Sequence, residues 1–230
     1  MNIKDLIRKE VANLIQEKMI LKDYGDYANK VAAAYDARPV SDPSASGMWQ
    51  ALAAHNERLF KQLQTRIDVQ FIDDYEERGY TTAEEMTQRV ADTKEMLVDK
   101  RFSDHQVWSK LENWKFRAVH DYIVHIGGKK PFGLRGELQS YNLHAKLVPA
   151  NIRPAIFSEV VGQVCYQLVT GAFPDPQKVC VLYGFDYVNV GGIEEREYMR
   201  NFEELSPEET QEIFQKFGLQ TEEGEDENEG

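Results

Sequence analysis

The chain has 230 residues, of which 42% are hydrophobic and 11% aromatic, and this is enough apolar material for one domain with a sizeable core. Its longest apolar runs, such as 179–182, are far too short to cross a bilayer, so a membrane-spanning protein is excluded. The formal net charge of −12 argues against broad binding to nucleic-acid backbones. The first residues lead into a charged amphipathic segment and not into a signal peptide, so we expect an intracellular protein.

Half of the net charge of −12 lies in the last nine residues, which carry no basic side chain. Their acidic residues are Glu222, Glu223, Glu225, Asp226, Glu227 and Glu229. Because such a segment has too little apolar surface to fold, we predict a single globular domain over 1–220 and a disordered acidic tail over 221–230. The two cysteines, Cys165 and Cys180, are too few for a disulfide framework and predict buried, reduced thiols.

The first part of the chain is predicted to be helical, with a small strand-containing element after it. The periodicity of the apolar residues predicts helices over 3–18, 27–35 and 48–65. Apolar and polar residues then alternate over 67–71, which predicts a half-buried strand, and 96–98 is predicted to be its short partner. Between the two strands, Thr81 and Glu84 have the spacing of a capping box that opens a helix reaching Asp92.

Three consecutive helices are predicted between about residues 104 and 171. The first starts with Ser103 as its N-cap and ends at the Gly127–Gly128 pair, and the second covers 134–148. Pro154 sits in the first turn of the third, which ends near Gly171. Two further elements are predicted beyond these helices, a strand-like run over 179–190 and a last helix over 206–217. The predicted class is therefore α+β and predominantly helical.

Chemistry-bearing side chains fall on one face of each of the three central helices, because residues three, four or seven positions apart share a helical face. The polar stripes comprise Arg117, Asp121 and His125 beside His120 on the first helix, Glu137, Tyr141 and His144 on the second, and Glu159 and Gln163 on the third. Such groups are costly to bury among apolar neighbours unless they are paired or bind a cation.

A divalent metal site would resolve that cost, and helical bundles commonly build such sites from facing helices. The candidate ligands are His120, His125, Glu137, His144 and Glu159. Asp121 is a candidate ligand or an acceptor that fixes an imidazole tautomer, and Arg117 is a candidate for neutralising anionic charge that develops in a substrate. Mixed nitrogen and oxygen ligation favours Zn, Fe or Mn as the cofactor.

Besides a scattered surface arrangement of these residues, two other interpretations of the cluster stay open. In one, the acidic and basic groups form a buried ion-pair network with the histidines as hydrogen-bonding partners. In the other, His120 or His125 is oriented by Asp121 and acts as a general base without a metal. The remaining histidines, His55 and His105, are expected at helix surfaces or caps.

The central motifs also carry a resemblance to a known family. They consist of the string Phe116-Arg117-Ala118-Val119-His120-Asp121-Tyr122, then His125, Gly136-Glu137, His144 and Glu159-x-x-Gly162-Gln163. This pattern resembles an uncharacterised family of proteins encoded by tailed bacteriophages and related mobile elements, over about residues 30–170. The chain has Leu138 where a second acidic residue is common and Val161 where an arginine is common, which puts a second carboxylate or cation in doubt.

The resemblance implies a phage context, in the cytoplasm of an infected bacterial host or in the virion, but it implies no activity. From the residues, the first hypothesis is an enzyme in which the metal activates water for hydrolysis, and an iron oxidase or oxygenase would use similar ligands. The alternative is a non-enzymatic phage protein that binds a host or virion partner, with the cluster as a structural polar core. A small molecule or a host protein is the expected partner, and neither nucleic acid nor membrane is.

Overall fold

The computed structural model describes residues 25–73, 75–188 and 190. The predictions for 3–18, 206–217 and 221–230 lie outside these ranges. Over the described residues the protein is mostly helical with one small parallel sheet, which confirms the predicted α+β, predominantly helical class. None of the helices in these ranges is long and apolar enough to span a bilayer.

Two helices open the described part of the chain, as predicted. Helix α1 covers 25–36 and helix α2 covers Ser46–Gln64. The apolar residues of α2 recur at helical spacing, so one face of the helix is buried, from Trp49 and Leu52 to Leu63. This face packs against the later helix that carries His120.

The strand-containing element is a parallel pair, with β1 at Asp68–Ile72 and β2 at Glu95–Asp99 in register. Helix α3, Ala83–Thr93, makes the crossover that a parallel pair requires. Both predicted strands and the helix are confirmed. The capping box lies one residue later than predicted, because the hydroxyl of Thr82 accepts from the backbone N–H of Glu85 and the carboxylate of Glu85 accepts from the backbone N–H of Thr82.

Helix α4 covers Lys110–His120 and continues as a π-helical segment over Asp121–Gly127. The predicted start at Ser103 is wrong, because Ser109 caps the helix and forms the capping box with Glu112. The hydroxyl of Ser103 instead donates to the backbone carbonyl of Lys100, within an irregular segment that precedes the helix.

Helix α5, Leu134–Lys146, and the helical stretch that follows it confirm the second and third predicted helices. That stretch comprises α6 at Arg153–Phe157, a π-helical segment at Ser158–Gly162 and α7 at Gln163–Thr170. The strand predicted over 179–190 is wrong, because in the described part of that run only Val179 forms a bridge, with Ser41. Residues 179–182 are apolar because they fill the core.

The buried apolar residues form two clusters, and the site-bearing helices contribute to both. Helix α4 places Phe116 in one cluster and Val119 in the other, and α5 does the same with Leu138 and Leu143. Because both helices are fixed on two sides, the polar side chains between these apolar positions are held on rigid elements.

Candidate metal centre and cavity

Two π-helical segments interrupt the long helices where predicted site residues lie. One segment contains Asp121 and His125, and the other contains Glu159. In a regular α-helix, His120 and His125 would point about 140° apart, because a helical turn takes 3.6 residues. The π segment bonds residue i to residue i+5 and brings the two rings together, with their centroids 5.2 Å apart.

Histidine and carboxylate donors converge at this point. One ligand atom from each of His120, Asp121 and His125 lies within 4.8 Å of the other two. Glu137, from the first turn of α5, places one oxygen 3.1 Å from Nε2 of His120 and the other 3.3 Å from Nε2 of His125. The structure therefore brings together two imidazoles and two carboxylates of the predicted site.

The hydrogen bonds of His125 fix which of its nitrogens faces the centre. Its Nδ1 lies 2.8 Å from the carbonyl oxygen of Lys130, and a carbonyl only accepts, so Nδ1 carries a hydrogen. In the neutral ring, Nε2 then presents a lone pair beside Glu137. Metal-binding histidines are commonly held in this way by a backbone carbonyl at the other nitrogen.

Protons compensate the negative charges of the carboxylates in this centre. Burial disfavours the charged form of His125, yet the charge and hydrogen bond of Glu137, together with the charge of Asp121, raise its pKa to about 9. Burial would raise the pKa of Glu137, but the two histidines hold it well below its usual value. Burial raises the pKa of Asp121, although His125 and His120 oppose the shift. A divalent cation is a direct substitute for the protons in such a group.

His144 does not belong to the group of convergent donors. It is fully buried, and its Nδ1 lies 3.5 Å from Nδ1 of His120, on the edge of that ring away from Glu137. Burial and repulsion from His120 hold the pKa of His144 well below 6.5, so this imidazole is neutral. The structure thus places His144 against a ligand candidate and not among the ligand atoms.

Glu159 belongs to a second polar network. Its carboxylate accepts hydrogen bonds from Nε1 of Trp49 at 2.6 Å and from Nε2 of Gln163 at 2.6 Å, and it lies 3.2 Å from Nε2 of His105. Because Nδ1 of His105 accepts from the backbone N–H of Trp108, the ring hydrogen is at Nε2 and points to Glu159. Three donors thus converge on one buried carboxylate.

The two histidines outside the predicted site are not surface residues. His105 does cap a turn, as expected, but its side chain is fully buried against Glu159. His55 is only 8% exposed and pairs with Arg58 through Nδ1, so its predicted surface position is wrong. Sequence reasoning missed the role of His105 because its partner is 54 residues away.

Arg117 holds a loop in place. Its guanidinium donates to Oδ1 of Asn113 and to the backbone carbonyls of Asp99, Arg101 and Phe102, at 2.5–3.1 Å. Four of its five N–H groups are therefore used within the protein. This arrangement favours a positioning role for Arg117 over the direct contact with substrate that the sequence predicted.

Both networks open onto one cavity of about 260 Å³. His120, Asp121 and Glu137 line it from the candidate metal centre, and Glu159 lines it from the second network. The cavity therefore gives a small molecule access to the convergent donors. Asn113 and Gln177 also line it, and nothing in their sequence context predicted this.

Comparisons with known proteins do not identify a family. A scan against protein-family models, a search of curated proteins and a search of solved structures each found no significant match to this chain. Functional inference therefore rests on the geometry and chemistry of the cavity.

Proposed function

We propose that the protein is a metal-dependent enzyme whose divalent cation is bound by His120, His125 and Glu137. The observation that carries the proposal is the convergence of two imidazoles and a carboxylate, with Asp121 beside them, at the wall of a cavity. Burying these groups is costly without a cation, and the carbonyl of Lys130 already orients His125 as a ligand.

Hydrolysis is the reaction class that this arrangement supports best. Three protein ligands leave a coordination position for water, as in catalytic zinc sites. A bound cation lowers the pKa of that water and polarises the bond to be cleaved. Asp121, which lies beside these ligand candidates, would act as the base that takes a proton from the water and as the acid that returns it to the leaving group.

An iron oxygenase is the second candidate, and one observation favours it. Two histidines and one carboxylate form the ligand set that non-haem iron(II) oxygenases use. The identity of the bound metal separates this candidate from a zinc hydrolase. In either case we propose, from the resemblance to phage proteins, that the protein acts in an infected bacterial cell.

Metal content tests the proposal. Untagged protein purified without chelator, and again after reconstitution with Zn, Fe or Mn, is analysed by inductively coupled plasma mass spectrometry. We expect one metal ion per chain, lost in His125→Ala and Glu137→Gln and retained in Asp104→Asn, which removes an exposed carboxylate. A folded wild-type protein that takes up no metal would overturn the proposal and favour the structural polar core of a partner-binding protein.

A further inference from the structure

Carboxamide side chains supply much of the polar lining of the cavity beside the candidate metal ligands. They are Asn113, Gln163, Gln167 and Gln177. Asn113 and Gln177 are almost fully buried, at 1% and 2% exposure, and Gln163 is 5% exposed. Buried amides at a cavity wall matter for recognition because each offers both a donor and an acceptor.

The orientation of two of these amides follows from their hydrogen bonds. Arginine only donates, so the Asn113 atom facing Nε of Arg117 is the amide oxygen, at 3.1 Å. Nδ2 of Asn113 therefore donates to Oε1 of Gln177 at 2.6 Å, and Nε2 of Gln177 donates to the carbonyl of Phe102 at 2.8 Å. Over the described residues each of these nitrogens makes one hydrogen bond, which leaves each with a second N–H.

Within the described ranges, the hydrogen bonds of Gln163 leave an acceptor unused, whereas those of Asn113 and Gln177 leave donors unused. Its neighbour Glu159 is a carboxylate that already accepts from Trp49, so the Gln163 atom that faces Glu159 is Nε2, at 2.6 Å. The Gln163 oxygen is then the acceptor that remains. The lining thus combines fixed donors from Asn113 and Gln177 with a fixed acceptor from Gln163.

The charges of the lining disfavour an anionic ligand. Asp121, Glu137 and Glu159 all line the cavity, and a bound divalent cation would offset only two of their three negative charges, so the lining has no excess positive charge for a phosphate or carboxylate. Arg117 is the cation of the lining, but four of its N–H groups are bound to protein oxygens. The cavity therefore fits an uncharged molecule.

The aromatic rings of the lining favour a planar ligand. Phe102 and Phe173 both line the cavity, with their ring centroids 5.6 Å apart and their planes inclined by 44°. Phe102 is 46% exposed, so part of its ring is open to a ligand, whereas Phe116 also lines the cavity but is buried and stacks on His120 and His144. Aromatic side chains stack on planar heterocycles such as nucleic-acid bases.

We propose that the cavity binds an uncharged nucleobase, free or as a nucleoside, as the substrate of the metal centre. The inference rests on the proposed function, because it takes this cavity as the reaction site. Glutamine and asparagine amides match the donor and acceptor edges of a base, and the phenylalanines match its face. The volume of about 260 Å³ limits the ligand to a small molecule.

Isothermal titration calorimetry tests the inference on the zinc-reconstituted protein. The probes are adenine, cytosine and uracil, their 2′-deoxynucleosides and the matching 5′-monophosphates. We expect at least one base or nucleoside to bind with a submillimolar dissociation constant and its monophosphate to bind at least about tenfold more weakly. Comparison of base with nucleoside distinguishes the two sources of the heterocycle.

Two variants test whether the oriented amides contribute to ligand binding. Gln177→Met and Gln163→Met each remove polar groups at similar size, and either should weaken binding of the best probe by about tenfold or more while metal content is unchanged. Gln106→Met, at an exposed position outside the lining, should bind as wild type does. Circular dichroism identifies a variant that fails to fold, and the other one then provides the test.

The outcomes separate this inference from the proposed function. One zinc ion per chain with no heat from any base or nucleoside would overturn the substrate class and leave the metal enzyme standing. Binding that is tightest for the monophosphates would also overturn it. Base binding by a protein that takes up no metal would support the recognition and contradict the metal chemistry.

Discussion

At the scale of single residues, Glu137 determines the character of the centre. Its two oxygens face Nε2 of His120 and Nε2 of His125, at 3.1 and 3.3 Å. Without a cation, this carboxylate stabilises the protonated form of His125. In the proposed metal complex, the same atoms are the ligands. The pH dependence of the metal-free protein therefore reports on the site.

The first prediction concerns that pH dependence. The pKa of His125 is raised from 6.5 to about 9, so its stabilising contribution is complete below pH 6.5 and is lost as the pH rises to 9. We expect the melting temperature of chelator-treated protein to fall by roughly 5 °C across this window, and by less in Glu137→Gln. The depressed pKa of Glu137 acts only below pH 4.5, outside the window.

Asp104→Asn is the control for that experiment because it removes an exposed carboxylate. It should retain the wild-type decrease between pH 6.5 and 9. Equal decreases in wild type and Glu137→Gln would show that the two side chains are not coupled.

The second prediction separates a metal ligand from a residue that positions one. Nδ1 of His144 contacts Nδ1 of His120, so we expect His144→Leu to bind metal about 10–100-fold more weakly without losing the site. Competition against a chromogenic chelator measures the affinity, with His125→Ala as the variant that loses the site. Complete loss of metal in His144→Leu would instead make His144 a ligand, as the sequence predicted.

At the scale of secondary-structure elements, periodicity predicted the helices of the described ranges and the two paired strands, but it did not predict where the helices depart from regular α-helical geometry. The start of α4 was misplaced because Ser103 with Gln106 and Ser109 with Glu112 have the same capping pattern. The spacing of five between His120 and His125 was the signal for a π-helical segment, because such residues do not share an α-helical face. The contact between α5 and this segment lay beyond local sequence information.

The third prediction concerns Gly136, which precedes Glu137 in the first turn of α5. A Cβ atom on Gly136 would lie 1.6 Å from the carbonyl oxygen of Pro131, so Gly136→Ala must displace the start of α5. We expect a loss of about 1–3 kcal/mol in stability, together with weaker metal binding because Glu137 moves. Chemical denaturation and chelator competition measure the two effects.

Gly47→Ala provides the matched control, since a Cβ there meets nothing within 4 Å. It lies within α2 and should change stability by no more than about 0.5 kcal/mol. Identical behaviour of the two variants would refute the close approach at Gly136.

The fourth prediction concerns the hydrogen bonds from Arg117 on α4 to the end of β2 and the segment that follows it. Arg117→Met removes the hydrogen bonds to Asp99, Arg101 and Phe102, and we expect it to destabilise the protein by about 3 kcal/mol. Metal content should remain at the wild-type level, because no ligand candidate depends on these bonds. Unchanged stability with a large loss of activity would instead indicate direct contact with substrate.

At the scale of the whole molecule, the sequence predicted the fold class and several of the histidines and carboxylates that converge, but it did not predict their division into two networks. Hydrogen bonds between residues far apart in the chain define that division. Trp49 and Glu159 are 110 residues apart, and Asn113 and Gln177 are 64 apart. Helical spacing places residues on a face, but it does not show which faces meet. For that reason, Glu159 and Glu137 were equally good candidate metal ligands from the sequence alone.

The structure distinguishes these carboxylates by their neighbours. Glu137 faces two imidazoles, whereas Glu159 is surrounded by the N–H groups of Trp49, His105 and Gln163. A carboxylate that already accepts several hydrogen bonds has less capacity for a metal. The cation is therefore expected at Glu137.

Anomalous diffraction tests that claim most directly. Data are collected at the absorption edge of the bound metal, from crystals of protein reconstituted with Zn, Fe or Mn. We expect one anomalous peak at about 2.0–2.2 Å from Nε2 of His120, Nε2 of His125 and an oxygen of Glu137. A peak coordinated instead by His144 or Glu159, or the absence of any peak in protein that retains its fold, would contradict it.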